Sequence, residues 1–179
     1  MMHDFAQSLK ASHAQADAPW WEPVYRNAFP DFAVMHCVRQ DGWAQRGGID
    51  RVIVLKSGKT LTVDEKVRTK QYPDILLERW SDRARKKAGW VQKALACDYI
   101  AVACIPTQTC HLLPFQQLRR AWILHGHEWI ARYEPVLADN PGYVTESIPV
   151  PVDVLFGALM GAMTVHWASA ADPGKGALL

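Results

Sequence analysis

The sequence has 179 residues, of which 49% are hydrophobic and 21% are charged, and its formal net charge at pH 7 is +2. This length predicts a single domain, residues 1–179, and the composition excludes an intrinsically disordered chain. The amino-terminal end lacks the apolar core of a secretory signal, and the longest apolar stretch is shorter than the ~20 residues of a transmembrane helix. We therefore expect a cytoplasmic protein without a membrane partner. The four cysteines form no CxxC pair, which favours free thiols over a zinc site.

The amino-terminal part of the chain predicts two helices, a strand and a loop. Residues 3–16 and 20–28 have helical propensity and few helix-breaking residues. Residues 32–39 are apolar and β-branched enough to form a strand. Residues 40–48 contain three glycines and predict a loop whose backbone another molecule can approach closely.

A β-hairpin is the clearest local unit of the sequence. Residues 49–56 and 60–68 predict two strands, joined by a turn that contains Gly58. Because successive side chains of a strand point to opposite faces, the second strand has one mainly apolar face and one polar, charged face. The first face carries Leu61, Val63, Glu65 and Val67, and the second carries Thr62, Asp64, Lys66 and Arg68.

The central part of the chain is predicted to contain two further strands. Residues 74–81 favour a strand, and residues 98–105 predict a buried strand that ends before Pro106. Between them we expect a basic loop at 81–89 and a short helix at 90–96.

The last third of the chain is expected to form two helices and one strand. Pro114 opens the first helix, since proline is favoured at a first helical position. Residues 138–142 predict a linker, 143–150 a strand and 151–165 a last helix, followed by a mobile tail over residues 166–179. The apolar stripe of the first helix consists of Phe115, Leu118, Trp122, Trp129 and Tyr133.

Positive charge is concentrated in one window of this near-neutral chain. Residues 66–93 contain nine basic and three acidic residues. Such a block predicts either a surface that binds phosphate groups or a solvated loop, and charge alone leaves both alternatives open. The candidates for contacts with a nucleic-acid backbone are Arg68, Arg83, Arg85, Lys86 and Lys87.

Two carboxylates and a lysine are expected to converge on the hairpin. When its arms pair, Asp50 of the first arm comes close to Asp64 of the second, and Lys66 shares the face of Asp64. Two close carboxylates repel each other unless a cation offsets their charge, and Mg²⁺ or Mn²⁺ suits oxygen ligands of this kind. A metal ion held there can activate water, and a neighbouring lysine can stabilise the charge that develops on a phosphate. An ordinary exposed ion pair between Asp64 and Lys66 is the alternative.

The segments GGID, ending at Asp50, and VDEK, residues 63–66, resemble the motif of the PD-(D/E)XK nucleases, a superfamily of restriction enzymes, phage nucleases and junction resolvases. Ile49 stands where that motif has proline. The resemblance implies that Asp50, Asp64 and Lys66 are catalytic, and that the backbone carbonyl of Glu65 joins Asp50 and Asp64 in holding Mg²⁺ or Mn²⁺. It also implies an α/β fold with a restriction-endonuclease-like core, a central mixed β-sheet flanked by helices. This core would span about residues 20–110, with a helical and strand extension over about 111–165.

The function implied by this resemblance is that of a metal-dependent nuclease hydrolysing phosphodiester bonds of DNA, and many such proteins act as homodimers. Two alternatives remain open at this stage. One is a nuclease-like module that binds nucleic acid without cutting it, and the other is a phage-assembly or interaction protein. Four further polar residues are either additional site residues or ordinary polar side chains: Glu22, His36, Gln45 and Glu78.

Overall fold

The computed structural model describes residues 18–167 and the dipeptide His3–Asp4. The helices are α1 (Trp21–Ala28), α2 (Gly42–Arg46), α3 (Phe115–Arg132) and α4 (Val152–Ala158), with a 3-10 turn at Trp90–Gln92. The strands, in chain order, are β1 (His3–Asp4), β2 (Phe32–Cys37), β3 (Arg51–Leu55), β4 (Thr60–Arg68), β5 (Asp74–Asp82), β6 (Lys87–Ala88), β7 (Tyr99–Cys104), β8 (Thr109–Pro114), β9 (Val136–Asn140), β10 (Tyr143–Pro151) and β11 (Met163–His166).

These strands form two sheets. The larger has the order β2-β3-β4-β7-β8-β11, in which β4 and β7 are parallel and all other neighbours are antiparallel. The smaller has the order β1-β9-β10-β5-β6, in which β1 and β9 are parallel. The protein is therefore a mixed α/β structure, as the sequence predicted at that level. Among the described residues, no helix combines the length and the apolar character needed to cross a bilayer.

The six-stranded sheet lies between two hydrophobic clusters. One face packs against α1, where Trp21 and Tyr25 are fully buried together with Leu61 and Val63 of β4. The other face packs against the smaller sheet and against α3 and α4. That second cluster is formed by Ile100 and Val102 of β7 with apolar side chains that include Ile75, Leu77, Leu118, Trp129, Ile148, Val150 and Leu155.

The predicted hairpin is confirmed, and its register sets the geometry of the candidate site. Gly58 adopts a φ of +85° in the turn, a conformation that side-chain-bearing residues rarely adopt. Arg51 pairs with Val63, and the Asp50 amide donates a hydrogen bond to the Val63 carbonyl oxygen at 2.9 Å. On the other side of β4, Glu65 pairs with Ala101 of the parallel strand β7. Strand β4 is thus held between two neighbours, which fixes the direction of its side chains.

Several predicted elements differ from the structure in the first two thirds of the chain. Residues 40–48 contain the short helix α2 rather than only a loop, because the Asp41 side chain accepts hydrogen bonds from the amides of Trp43 and Ala44 and so caps it. The prediction of a helix at 90–96 is wrong, since only the 3-10 turn Trp90–Gln92 forms there. Of the helix expected at 3–16, His3–Asp4 instead form β1, and residues 5–16 lie outside the described residues.

The carboxyl-terminal third contains more strand than the sequence predicted. Strand β8 was not anticipated, and β9 occupies part of the expected linker at 138–142. The last helix ends at Ala158 rather than near residue 165, and β11 follows it and pairs with β8. The strand expected at 143–150 is confirmed by β10. Of the tail predicted over residues 166–179, His166 instead belongs to β11, and residues 168–179 lie outside the described residues.

Candidate active site

The Asp50 carboxylate is oriented by two groups of the protein. Asp50 lies directly before β3, and its Oδ2 accepts a hydrogen bond from the backbone amide of Glu65 at 2.7 Å. The same oxygen lies 3.4 Å from Nη2 of Arg39, whose side chain is 15% exposed. Because a backbone amide and a guanidinium both contact Oδ2, the Asp50 carboxylate has a defined orientation beside β4.

The Asp64 side chain is largely buried and lies next to Asp50. Burial raises the pKa of Asp64, and the charge of Asp50 and contact with its carboxyl group raise it further, whereas Lys66 opposes this shift. The net direction is upward, so one lysine does not fully offset the burial and the second carboxylate. The prediction that Asp50 and Asp64 come together is confirmed by this proximity.

Lys66 links the carboxylate pair to an aromatic side chain. Its Nζ lies 3.1 Å from Oδ1 and 3.0 Å from Oδ2 of Asp64, and 5.0 Å from the ring centroid of Trp90. Burial lowers the pKa of Lys66, but the charges of Asp64, Asp50 and Glu78 raise it, and the net shift is upward. Lys66 therefore stays cationic, held between an anion and an aromatic face.

Glu78 is the one of the four further candidates that lies beside this cluster. Its charge contributes to the raised pKa of Lys66, and its Oε1 accepts a hydrogen bond from the Trp90 amide at 3.2 Å. In contrast, Glu22 makes an exposed ion pair with Arg26 on α1, a helix that packs against the opposite face of the sheet. The other two candidates, His36 and Gln45, are exposed.

Behind the site, Glu65 forms a buried ionic network on the opposite face of β4. Arg51 donates to Oε1 at 2.8 Å and to Oε2 at 3.1 Å, and Arg39 donates to Oε2 at 3.0 Å. The Tyr25 hydroxyl donates to Oε1 at 2.6 Å, and burial, followed by the Glu65 charge, raises the pKa of Tyr25 well above its usual value. The Glu65 side chain has no exposed surface. Its direction, away from Asp64, agrees with the prediction from strand alternation.

Sequence reasoning missed the partners of Glu65, namely Tyr25, Arg39 and Arg51. One signal was available: Glu65 alternates with Leu61, Val63 and Val67 on a face predicted to be buried, and a buried carboxylate needs cationic or hydrogen-bonding partners. The identity of those partners depends on the packing of α1 and on the approach of the segment after β2. The alternation of side chains along β4 predicts neither of these two contacts.

The basic residues proposed for nucleic-acid contacts are already engaged to different degrees. Arg68 contacts the carboxylate of Asp74 at 3.2 Å and also its backbone carbonyl oxygen, so it is bound within the fold. Arg83, Arg85 and Lys86 lie at the turn between β5 and β6, and Lys87 begins β6. There Arg83 pairs with Glu146, Arg85 pairs with Asp82, and Lys86 and Lys87 are exposed.

The carboxylate pair fits a hard divalent cation. Two carboxylates with an uncompensated repulsion supply oxygen ligands, and Mg²⁺ is commonly held by one or two carboxylates together with substrate phosphate and water. Within residues 18–167, no group of three His, Cys, Asp or Glu side chains that could hold a metal ion is found. Asp50 and Asp64 are the side chains that could supply oxygen ligands here, and the backbone carbonyl of Glu65 remains a proposed third ligand.

Comparisons with known proteins do not identify a family for this chain. Protein-family models gave no match, and comparisons with curated proteins and with solved structures gave none either. Function is therefore inferred from the hairpin and its surroundings.

Proposed function

We propose that this protein is a metal-dependent nuclease that hydrolyses phosphodiester bonds of DNA in the cytoplasm. The observation that carries the proposal is the convergence of Asp50, Asp64 and Lys66 on one side of a rigid hairpin, with the pKa of Asp64 raised by burial and by Asp50. An exposed ion pair between Asp64 and Lys66 would not require that burial or the second carboxylate. All four cysteines are free, which accords with a reducing compartment.

The order of the elements supports a restriction-endonuclease-like core. Helix α1 is followed by the antiparallel meander β2-β3-β4 and then by β7, which is parallel to β4. The resemblance implies a core in the order helix, three-stranded meander, helix and strand, so the first helix, the meander and the last strand have counterparts here. The connection from β4 to β7 differs, since it contains β5, β6 and the 3-10 turn where the resemblance implies a helix.

Each residue of the cluster has a distinct part in the proposed reaction. Asp50 and Asp64 would hold a Mg²⁺ or Mn²⁺ ion, and a bound ion of this kind would supply water activation and neutralisation of the phosphate charge. Lys66 places a positive charge next to the scissile phosphate and stabilises the charge that develops in the transition state. The buried network of Glu65 and Arg39 keeps the Asp50 carboxylate in one orientation, so that little reorganisation is needed when the metal binds.

The proposal is tested by cleavage of single-stranded, duplex and branched DNA with Mg²⁺, with Mn²⁺ and with EDTA. The variants Lys66→Met and Asp64→Asn are compared with Lys56→Ala, which removes an exposed lysine from the turn end of the same hairpin. We expect metal-dependent cleavage that falls at least about 100-fold in the first two variants, the usual effect of losing one electrostatic stabiliser, and that is unchanged in the third. Full cleavage by Lys66→Met would overturn the assignment. Binding of DNA that does not depend on metal, with no cleavage of any substrate, would instead favour a non-catalytic nucleic-acid-binding module.

A further inference from the structure

A cavity of about 500 Å³ lies between the two sheets, directly beside Lys66. Its volume is within the range of ~300–1,000 Å³ that is typical of small-ligand sites. The buried side chains Ile75 and Val102 form part of its floor, and the exposed residues Thr69, Lys70 and Tyr72 mark its opening. The cavity is therefore open to solvent at the end of β4 and closed by the hydrophobic core at its base.

The lining combines apolar walls with groups that bind phosphate and polar atoms. Trp90, Val136 and Ala138 contribute apolar surface, and Tyr72 adds an aromatic ring at the opening. Lys66 and Lys70 bring positive charge to the side formed by β4. Two buried hydroxyl-bearing residues and two carboxylate residues also line the wall, and one of the carboxylates, Asp74, is paired with Arg68; these residues are Thr145, Ser147, Glu78 and Asp74.

The cavity and the proposed catalytic cluster share the side chain of Lys66. Lys66 Nζ bonds the Asp64 carboxylate and lies 5.0 Å from the Trp90 ring, and both Lys66 and Trp90 line the cavity. The cavity thus begins one side chain away from the Asp50–Asp64 pair. A strand with its scissile phosphate at that pair would have a neighbouring nucleotide beside Lys66, where the cavity begins.

We propose that this cavity binds one unpaired nucleotide of the substrate strand, adjacent to the scissile phosphate. This inference rests on the proposed nuclease function and adds a substrate class to it. A nucleotide joins a flat, largely apolar base to an anionic phosphate, which matches an aromatic and apolar pocket with lysines at one side. Such a pocket accepts a base only after the base has left the stack. Extrusion from a duplex costs a few kcal/mol, and it costs least for a base that is already single-stranded. The protein is therefore expected to prefer single-stranded DNA, frayed ends or flaps over intact duplex.

The cavity is tested first by binding in EDTA, where no cleavage occurs. The probes are a single-stranded 12-mer and its blunt duplex, and the variant Ala138→Phe fills the cavity from β9. Leu137→Phe is the matched control, since Leu137 is the next residue on the same strand, is 42% exposed and does not line the cavity. We expect the Kd of the single-stranded 12-mer to rise about tenfold in Ala138→Phe, the effect of losing one stacked base, and to be unchanged in the control. Thermal unfolding of both variants establishes that they are folded.

A second measurement tests the cavity on the wild-type protein, so that the conclusion does not depend on the Ala138→Phe variant. A set of 12-mers, each with one abasic position, is compared for binding and for cleavage in Mg²⁺. One sensitive position, next to the cleavage point, supports the inference. Equal cleavage of duplex and single strand, with no sensitive abasic position and no effect of Ala138→Phe, overturns the inference and leaves the nuclease proposal standing. Position-dependent binding without any cleavage supports the cavity and refutes the nuclease proposal.

Discussion

Replacement of Glu65 by alanine should destabilise the protein far more than replacement of Glu22, although both glutamates form short ion pairs. The Glu65 side chain is completely buried and receives hydrogen bonds from Arg51, Arg39 and Tyr25 at 2.6–3.1 Å. The Glu22 side chain is 51% exposed and pairs with Arg26 at 2.5 Å. The two residues therefore differ both in burial and in the number of their partners, and comparison of their alanine variants measures the combined effect on the free energy of unfolding.

The magnitude follows from the charges that remain after substitution. In Glu65→Ala, the guanidinium groups of Arg51 and Arg39 keep their positive charge in sites that are only 5% and 15% exposed. Removing one partner of a buried ion pair typically costs ~3–5 kcal/mol, whereas an exposed pair contributes ~0–1 kcal/mol. For a chain of this size, each kcal/mol lowers Tm by roughly 2–4 °C, so we expect Glu65→Ala to lower Tm by about 10 °C and Glu22→Ala by at most a few degrees.

Urea unfolding followed by circular dichroism and tryptophan fluorescence measures both free energies. Coincident transitions by the two probes are required, since the comparison assumes two-state unfolding. Glu65→Gln is the intermediate case, because its amide keeps a hydrogen-bond acceptor but not the charge. A loss below about 1 kcal/mol in Glu65→Ala, equal to that of the Glu22 control, would show that the arginines reach solvent or another partner and would refute the buried network.

Three other predictions concern the carboxylate pair, the basic turn and a crowded glycine. Because Asp50 contributes to the raised pKa of Asp64, Asp50→Asn should lower that pKa in a ¹³C NMR titration of the side-chain carboxyl. A raised pKa in the folded state means that folding stability falls as Asp64 ionises, at pH values above its pKa in the unfolded chain, about 3.9. The substitution should lessen this loss of stability. An unchanged titration would mean that burial alone causes the shift. Alanine at Lys86 and Lys87 should reduce the slope of log Kobs against log salt by roughly 0.7 per lysine for single-stranded DNA, and an unaltered slope would remove this turn from the interface. Gly89→Ala should lower the free energy of unfolding by ~1–3 kcal/mol in urea titrations, because a Cβ there would lie 2.1 Å from a backbone carbonyl oxygen of β5, and wild-type stability would contradict this.

The hairpin and its two faces were predictable because they depend on local rules. Alternation along residues 60–68 placed Asp64 and Lys66 on one face and Glu65 on the other, and Gly58 marked the turn. The same rules gave α1 and β10 within one or two residues at most boundaries. Where residues close in sequence determine the pattern and a strand has one buried face, the sequence is sufficient to predict the strand and its two faces.

The missed elements depend on distant partners. Strand β9 contains Asp139 and Asn140, residues typical of turns, and it is a strand because β10 pairs with it antiparallel and β1 pairs with it in parallel. Strand β11 likewise exists as a partner of β8, in a segment whose composition also allowed a longer helix. Tertiary pairing overrides local propensity in such segments, and the sequence of the segment alone does not contain that information.

Glu65 influences the orientation of the Asp50 carboxylate through one local contact and one distant contact. The backbone amide of Glu65 binds Asp50 through the register of a hairpin, which sequence predicts, whereas its side chain holds Arg39 against Asp50 through a network that sequence does not predict. A substitution of Glu65 removes only the second contact, since every residue except proline retains the amide. Loss of the side chain should therefore weaken the orientation of Asp50 without abolishing its position. Metal affinity should fall by the 10- to 100-fold that is typical when an outer hydrogen-bonding partner of a metal ligand is lost, whereas removal of Asp50 itself should cost more.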